Sequence, residues 1–451
     1  MTDILHEEHH SDARAAHDLT PPKALLDFMV QDWAPSDPKI ELLANAPAFH
    51  ARRRRLSERF PGEVLVVATG HEKVRANDTN YRFRPGTDFY YLTGNTEPDC
   101  VLMMVPADSG HRDVLFVEPN PGRTDATFFT DRQKGELWTG PRLGVPESRD
   151  RYRIDEALPI SEFHDAFAKA TEHAAGARIL CGIDAQIDEL APSDDQRNQE
   201  FTEFLSEMRL LKDDAEIAEL RKAMSSTKRA FEDVIRALPT STTERHVEGI
   251  FNLRARVEGN DVGYNTIAAS GANACILHWT KNNRSFKRND LLLLDAGVEV
   301  ETLYTADITR TVPISGRYNE AQEKIYSLVL AAQEAGFAQC KPGRDFLDPN
   351  TAAMRVLAEG LESLGILKSA QDALKDEHQF YKRYSLHNVS HMLGLDVHDC
   401  AAARAETYKY GKLEAGMVLT VEPGLYFQVN DLTVPERYRG IGVRIEDDVL
   451  I

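Results

Sequence analysis

Residues 291–294 form a continuous aliphatic run of the kind that makes a buried strand, yet the run ends in Asp295-Ala296-Gly297, and a second acid, Asp307, follows after a predicted hairpin. An ionised carboxylate at the edge of an apolar core costs several kcal/mol unless it is paired, protonated or bound to a metal. The arrangement recurs downstream. The strand-like run 417–421 stops at Glu422-Pro423-Gly424, where the proline forbids further ladder bonding. Across residues 442–449, Val443 and Ile445 alternate with Arg444 and Glu446, so the two-residue period puts the arginine and the glutamate on one face. Any one of these acids is most simply a salt-bridge or turn-capping residue. Together with His391, in HNVSHMLGLDVHD, they make four carboxylates and one imidazole, an oxygen-rich set that suits two hard or borderline divalent ions. Two such ions balance the four negative charges. Mn²⁺ fits the ligand mixture best, with Zn²⁺ or Co²⁺ as alternatives, and the chemistry is hydrolysis by a hydroxide held between two ions that also polarise a carbonyl.

Positioning these groups requires at least one large domain, and 451 residues predict two. Residues 1–37 mix charge, histidine and proline with a brief apolar patch at 25–29 and are expected to form an arm or short surface helices. EVLVVAT (63–69), FYYLTG (89–94) and CVLMMVP (100–106) read as buried strands, alternating with helical stretches such as 162–175, so 38–207 is expected to be a mixed α/β domain. The character changes at MRLLKDDAEIAELRKAM (208–224), an amphipathic helix with Leu211, Ile217 and Leu220 in period, and the second domain is placed at 208–451. Ser241-Thr242-Thr243-Glu244 suits a capping box for a further helix whose inward face is Val247, Ile250, Phe251 and Val257. No period of 20 to 50 residues suggests a solenoid or propeller.

Composition narrows the function. A net charge of -19 repels phosphate backbones and anionic lipid, so neither nucleic acid nor a membrane is an expected partner, and no apolar run approaches the ~20 residues that span a bilayer. The one basic run, Arg52 to Arg55, reads as the solvated side of a helix. Five scattered cysteines without a CxxC pair point to buried thiols, and the acidic, histidine-rich start is unlike a secretory signal, so a cytoplasmic protein is expected. His6-Glu7-Glu8-His9-His10 fits the HExxH zinc pattern but lies in a polar terminus with no core to hold it.

The ligand segments LLLLDAG (291–297), TADITRT (305–311), HNVSHMLGLDVHD (387–399), LTVEPGLY (419–426) and GIGVRIEDD (440–448) resemble, in order, the motifs of the aminopeptidase P and prolidase group, whose catalytic domain has the pita-bread fold, an α+β architecture. RFRPGTDFYYLTGNTEPDCVL (82–102) is similar to that group's N-terminal domain. The resemblance implies metal ligands at Asp295, Asp307, His391, Glu422 and Glu446, with Asp307 and Glu446 bridging the ions. It also implies supporting or substrate-contacting roles for His278, His387, His398 and Arg444, and a place for Tyr90 on the entry side of the pocket. Departures from the pattern are the eleven residues between Asp295 and Asp307, one more than in many relatives, and Asn388 where glycine is common. The chain stops at Ile451, where relatives usually continue, so a further tail or closure of the domain by this last strand are both open.

The expected activity is release of an N-terminal residue from peptides with proline in second position. Glu422 would relay a proton from the attacking hydroxide to the leaving nitrogen, and His278 and His398 would meet the oxyanion or the departing group. His387 and Arg444 would wall the proline, whose tertiary amide has no N–H to read. The rivals are a prolidase confined to Xaa-Pro dipeptides, a metal-free pita-bread binding module, and a metal-free creatine-type hydrolase; the last two are disfavoured by five filled ligand positions. The resemblance further implies a homodimer or homotetramer built through the N-terminal domain.

Overall fold

The computed structural model describes residues 21–34, 39–77, 79–191 and 195–451. Two compact units, Met1–Thr202 and Glu203–Ile451, part within the helix Asp195–Met208, a few residues before the change of character at 208. The HExxH-like segment lies outside the described residues. Among the described residues no helix is long and apolar enough to cross a membrane.

The N-terminal unit is built on a sheet of five strands, β1 (Glu63–Ala68), β2 (Val101–Pro106), β3 (His111–Val117), β4 (Glu156–Pro159) and β5 (Gly176–Ile179), in the order β4-β3-β2-β1-β5. β1 runs antiparallel to β2 and parallel to β5, and β3 pairs antiparallel with β2 and parallel with β4. Val64, Val66, Met103, Val114 and Phe116 supply one face of its core, against Phe163 of the helix Phe163–Thr171. Lys23–Met29, in the expected arm, is a helix with no buried residue.

Three expectations are corrected in this unit. FYYLTG is not a strand: residues Thr87–Thr93 form a buried helix that ends at Gly94, whose φ of 69° is left-handed and whose missing Cβ leaves room for the Phe49 ring. A short apolar run buried on all sides carries neither the period of a helix nor that of a strand. The basic run is solvated only in part, with Arg55 exposed and Arg54 half-buried. Arg52 and Arg53 are buried in the helix Ala46–Arg59, where Arg53 Nε donates to Asp113 Oδ2 at 2.7 Å and Nη1 to the carbonyl of Leu92 at 2.7 Å. The expectation of buried thiols is likewise corrected at Cys181, which is exposed, and Cys340, which is half-buried; Cys100, Cys275 and Cys400 are buried, and no two cysteines are joined.

The second unit begins with the helices α1 (Asp214–Ala237) and α2 (Glu244–Glu258). α1 starts with a reciprocal capping box between Asp213 and Glu216, so Leu211 lies ahead of the helix and is exposed. For α2 the cap is Thr243, whose hydroxyl accepts from His246 N, and not Ser241, which bonds back to Ala237; Val257 points to solvent and Ala255 takes the inward position. These helices cover one face of a three-stranded antiparallel sheet, β6 (Ile267–Ser270), β7 (Leu291–Ala296) and β8 (Ile308–Pro313), in the order β8-β7-β6. Leu292, Leu294 and Ala296 of β7 pack on α1 and α2. By the two-residue period Leu293 and Asp295 face the other way, and Leu293 joins Ile267, Ala269 and Tyr426 there. A second helix pair, α3 (Glu320–Phe337) and α4 (Asp348–Ser363), packs with the short ladder β10 (Gly424–Tyr426) and β11 (Gly442–Arg444), while β9 (Val418–Val421) pairs with β12 (Asp447–Leu450).

Candidate metal centre

The acids stand at strand ends because the apolar runs that carry them are used up in the core. In the β7–β8 ladder Asp295 is paired with Thr309, and Asp307 sits one residue before β8 begins. Glu446 falls between β11 and β12 and bridges to Thr309, which brings the third acid alongside. Val443 and Ile445 enter the core of the α3–α4 side, so Arg444 and Glu446 turn towards the acids, as the alternation requires. Segment 389–393 runs beside β9, with Thr420 N donating to the carbonyl of His391 (3.0 Å) and Glu422 N to that of Val389 (2.8 Å), so His391 and Glu422 arrive together.

Asp307, His391 and Glu446 each offer an atom such that all three atoms lie within 4.8 Å of one another. His391 Nε2 is 3.3 Å from Asp307 Oδ2 and 3.6 Å from Glu422 Oε1, and its Nδ1 faces the carbonyl of Met392 at 3.2 Å. The Tyr264 hydroxyl links Asp307 to Asp295, 2.6 Å from Asp295 Oδ1 and within hydrogen-bond reach of Asp307 Oδ1. Asp295 Oδ2 accepts from Arg444 Nη2, and Arg444 Nη1 donates to the Tyr426 hydroxyl at 2.9 Å. His387 Nε2 meets the same hydroxyl at 2.8 Å, and its Nδ1 is 3.5 Å from Glu422 Oε2.

Burial pushes the Glu422 carboxyl up to about 8 against the pull of His391 and Arg444. Glu446 lies well above the carboxylate range because burial is reinforced by Asp307, Glu422 and Asp295. Burial also holds Asp295 above its ordinary value although Arg444 draws it down. Burial works against Asp307 too, but the hydrogen bond and charge of His391 keep it below its ordinary value. Burial opposes the His391 imidazolium, yet Asp307 and Glu422 outweigh it and raise that group to about 9. His387 is lowered to about 4, by burial and then by Arg444, and His398 is lowered by burial and then by His391. Arg444 and His391 do not supply enough positive charge for four carboxylates, and the oxygen-rich donor set with one imidazole nitrogen fits divalent cations.

Of the other residues singled out in the sequence, His398 stacks edge-on against His391 with ring centres 4.4 Å apart. His278 is exposed on the segment after β6. Tyr90 belongs to the N-terminal unit, where it is buried edge-to-face against Phe49. Sequence reasoning missed Tyr264, Thr309 and Asp448. Thr309 shares the strand face of Asp307 by the two-residue period, and Asp448 that of Glu446, so both were findable; Asp448 Oδ2 accepts from Asp307 N at 3.1 Å. Nothing in the residues around Tyr264 announces its position.

The profile of metallopeptidase family M24 matches residues 218–451, and that of the aminopeptidase P N-terminal domain matches 49–179. The chain is 50% identical over 433 residues to Xaa-Pro aminopeptidase 1 of Streptomyces coelicolor, covering 95% of this chain and 87% of that protein. It is 36% identical over 420 residues to the Xaa-Pro aminopeptidase of Escherichia coli, covering 89% and 92%. The solved structure of E. coli aminopeptidase P with the inhibitor Pro-Leu superposes with a TM-score of 0.81 at 33% identity, covering 91% of this chain and 93% of that one, and a zinc-substituted form of the same enzyme in complex with product superposes with a TM-score of 0.80.

Proposed function

Because the chain belongs to the aminopeptidase P branch of metallopeptidase family M24 and is a metal-dependent Xaa-Pro aminopeptidase, we propose that Asp295, Asp307, His391, Glu422 and Glu446 hold two divalent ions, Mn²⁺ by preference, with Asp307 and Glu446 serving both. The observation that carries this is the meeting of Asp307, His391 and Glu446 within 4.8 Å in a buried site flanked by two more acids. When bound, such ions would polarise the scissile carbonyl and lower the pKa of a water molecule towards neutrality.

The protein's own groups do the rest. Glu422 takes a proton from the attacking water and passes it to the leaving proline nitrogen, acting first as a base in its ionised form and then as an acid. His278 and His398 stabilise charge on the carbonyl oxygen or the departing group. Arg444, Tyr426 and His387 are joined through the Tyr426 hydroxyl into one wall, which recognises the proline ring by shape. Tyr90 is proposed as a substrate contact on the resemblance of its aromatic segment alone. Free, scattered cysteines support a cytoplasmic setting, and a homodimer or homotetramer is the proposed assembly, read by light scattering.

The test is a peptide panel with Mn²⁺ added, alongside metal analysis of chelator-free protein. Release of Xaa from Xaa-Pro-Yaa and longer peptides is expected. Cleavage of Xaa-Pro dipeptides alone would make the protein a prolidase, and a reconstituted sample holding no divalent ion would make it a binding module.

A further inference from the structure

Glu244, the first residue of α2, is fully buried and does not cap its helix, since Thr243 does. Its Oε1 accepts from Ser270 N (2.7 Å), Ser270 Oγ (2.9 Å) and Asn273 Nδ2 (2.9 Å), and its Oε2 accepts from Trp279 Nε1 (2.8 Å) and Arg284 N (2.9 Å). Every one of these donors lies on segment 270–284, which leaves β6 and carries His278. Asn282, also buried and in a left-handed conformation (φ 44°), fastens the return of the segment by accepting from Ala268 N (3.0 Å) and donating to the carbonyl of Thr266 (2.9 Å). Trp279 follows His278 directly and packs against the apolar cluster that includes Ile267, Ala269, Leu293 and Tyr426, while its N–H is held by Glu244. Burying a carboxylate is expensive unless its acceptor sites are filled, and here they are filled by one loop.

We propose that Glu244 is the positioning residue for His278: it fixes the backbone on both sides of that histidine without approaching the metal ligands. The inference rests on the role given to His278 above. A glutamine at this position would turn one acceptor oxygen into an NH₂ group facing donors, so the loop would loosen where His278 must be accurately placed, while the wall of Arg444, Tyr426 and His387 stays intact.

The test compares Glu244→Gln, Trp279→Phe and His278→Ala, alone and combined, in the metal-reconstituted enzyme. Glu244→Gln is expected to lower kcat ~10-fold or more with KM and bound metal changed less than ~2-fold, and to change kcat less than ~2-fold once His278 is already alanine. Trp279→Phe, which removes a single donor and keeps the packing, should show a smaller loss with the same dependence on His278, and it decides the matter alone if Glu244→Gln does not fold. The same loss with and without His278, or a loss that follows bound metal, would overturn the proposal. So would an impaired His278→Ala enzyme beside unimpaired Glu244→Gln and Trp279→Phe enzymes. Wild-type kcat in His278→Ala would instead remove the role of His278 itself, and the inference with it.

Discussion

Thr309 donates its hydroxyl to Glu446 Oε2 at 2.6 Å, across the isolated β-bridge that pairs the backbones of the same two residues. The hydroxyl also accepts from Arg444 Nε at 3.2 Å, so a neutral side chain sits between the most buried cation of the site and one of its acids and fixes the orientation of both.

Thr309→Val keeps the shape and removes that link. Metal affinity is expected to fall ~10–100-fold, as when partners of metal ligands are lost, and stability by about 1–3 kcal/mol for the polar groups left unpaired. Calorimetric metal titration and urea unfolding measure the two effects, and unchanged affinity would show that Thr309 does not orient Glu446.

Glu422→Gln keeps the volume and the hydrogen-bonding reach of the side chain but removes its capacity to take a proton. A kcat loss of ~10²–10⁴ is expected in protein that still binds metal. Near-normal turnover in a metal-loaded variant would take the proton relay away from Glu422.

Removing divalent ions should destabilise the second unit, because burial and mutual repulsion already drive Glu422 and Glu446 towards protonation. Chelated protein is expected to show a lower Tm that recovers with added Mn²⁺ in a concentration-dependent way, the unfolding free energy rising by about 2.7 kcal/mol at a hundredfold excess over Kd. A Tm indifferent to metal would mean that the ions do not relieve the acids.

Asp113 accepts from Arg53, which is fully buried, and Asp113→Ala would strand that guanidinium. A loss of about 3–5 kcal/mol is expected, confined to unfolding of the N-terminal unit, with metal binding unchanged. Denaturant midpoints followed by probes in each unit would reveal any other distribution.

Asp399 sets an acid limit. Burial raises its carboxyl, but Lys212 and Arg209, the latter donating at 2.9 Å, overcome that and hold it at about 2. Its folded value lies below the unfolded value near ~3.9, so the contribution, roughly 2–3 kcal/mol, is present above pH ~4 and is lost as pH falls through ~2. Asp399→Asn should flatten the pH dependence of stability over that window while lowering stability at neutral pH, where the two cations lose their partner. An unaltered slope would place the acid sensitivity elsewhere.

Asp295, Glu422 and Glu446 were legible because each is a local anomaly, an acid closing an aliphatic run or alternating with core residues, as Arg444 and Glu446 do with Val443 and Ile445; Asp307 and His391 carry no such mark and entered through the motifs around them. Where local pattern is silent, reading failed. FYYLTG has no period to separate helix from strand, and Arg52 and Arg53 look solvated until their distant partners, the Tyr91 carbonyl and Asp113, are seen beside them. The sequence points to Ser241 as the cap of α2, but the part falls to Thr243, whose hydroxyl reaches His246 N.

By itself, then, the amino-acid order determined which side chains could ligate metal, which strands would carry them and which reaction class they suit, because side-chain chemistry and two-residue periodicity belong to contiguous residues. Only the tertiary structure decided that Asp307, His391 and Glu446 form the tight group, that Asp295 is shared by Tyr264 and Arg444, and that Glu244 anchors the His278 loop. Such pairings join residues as far apart as Asp295 and Arg444, 149 positions along the chain. Their distances are set by how helices and sheets pack, a property no short stretch of sequence possesses.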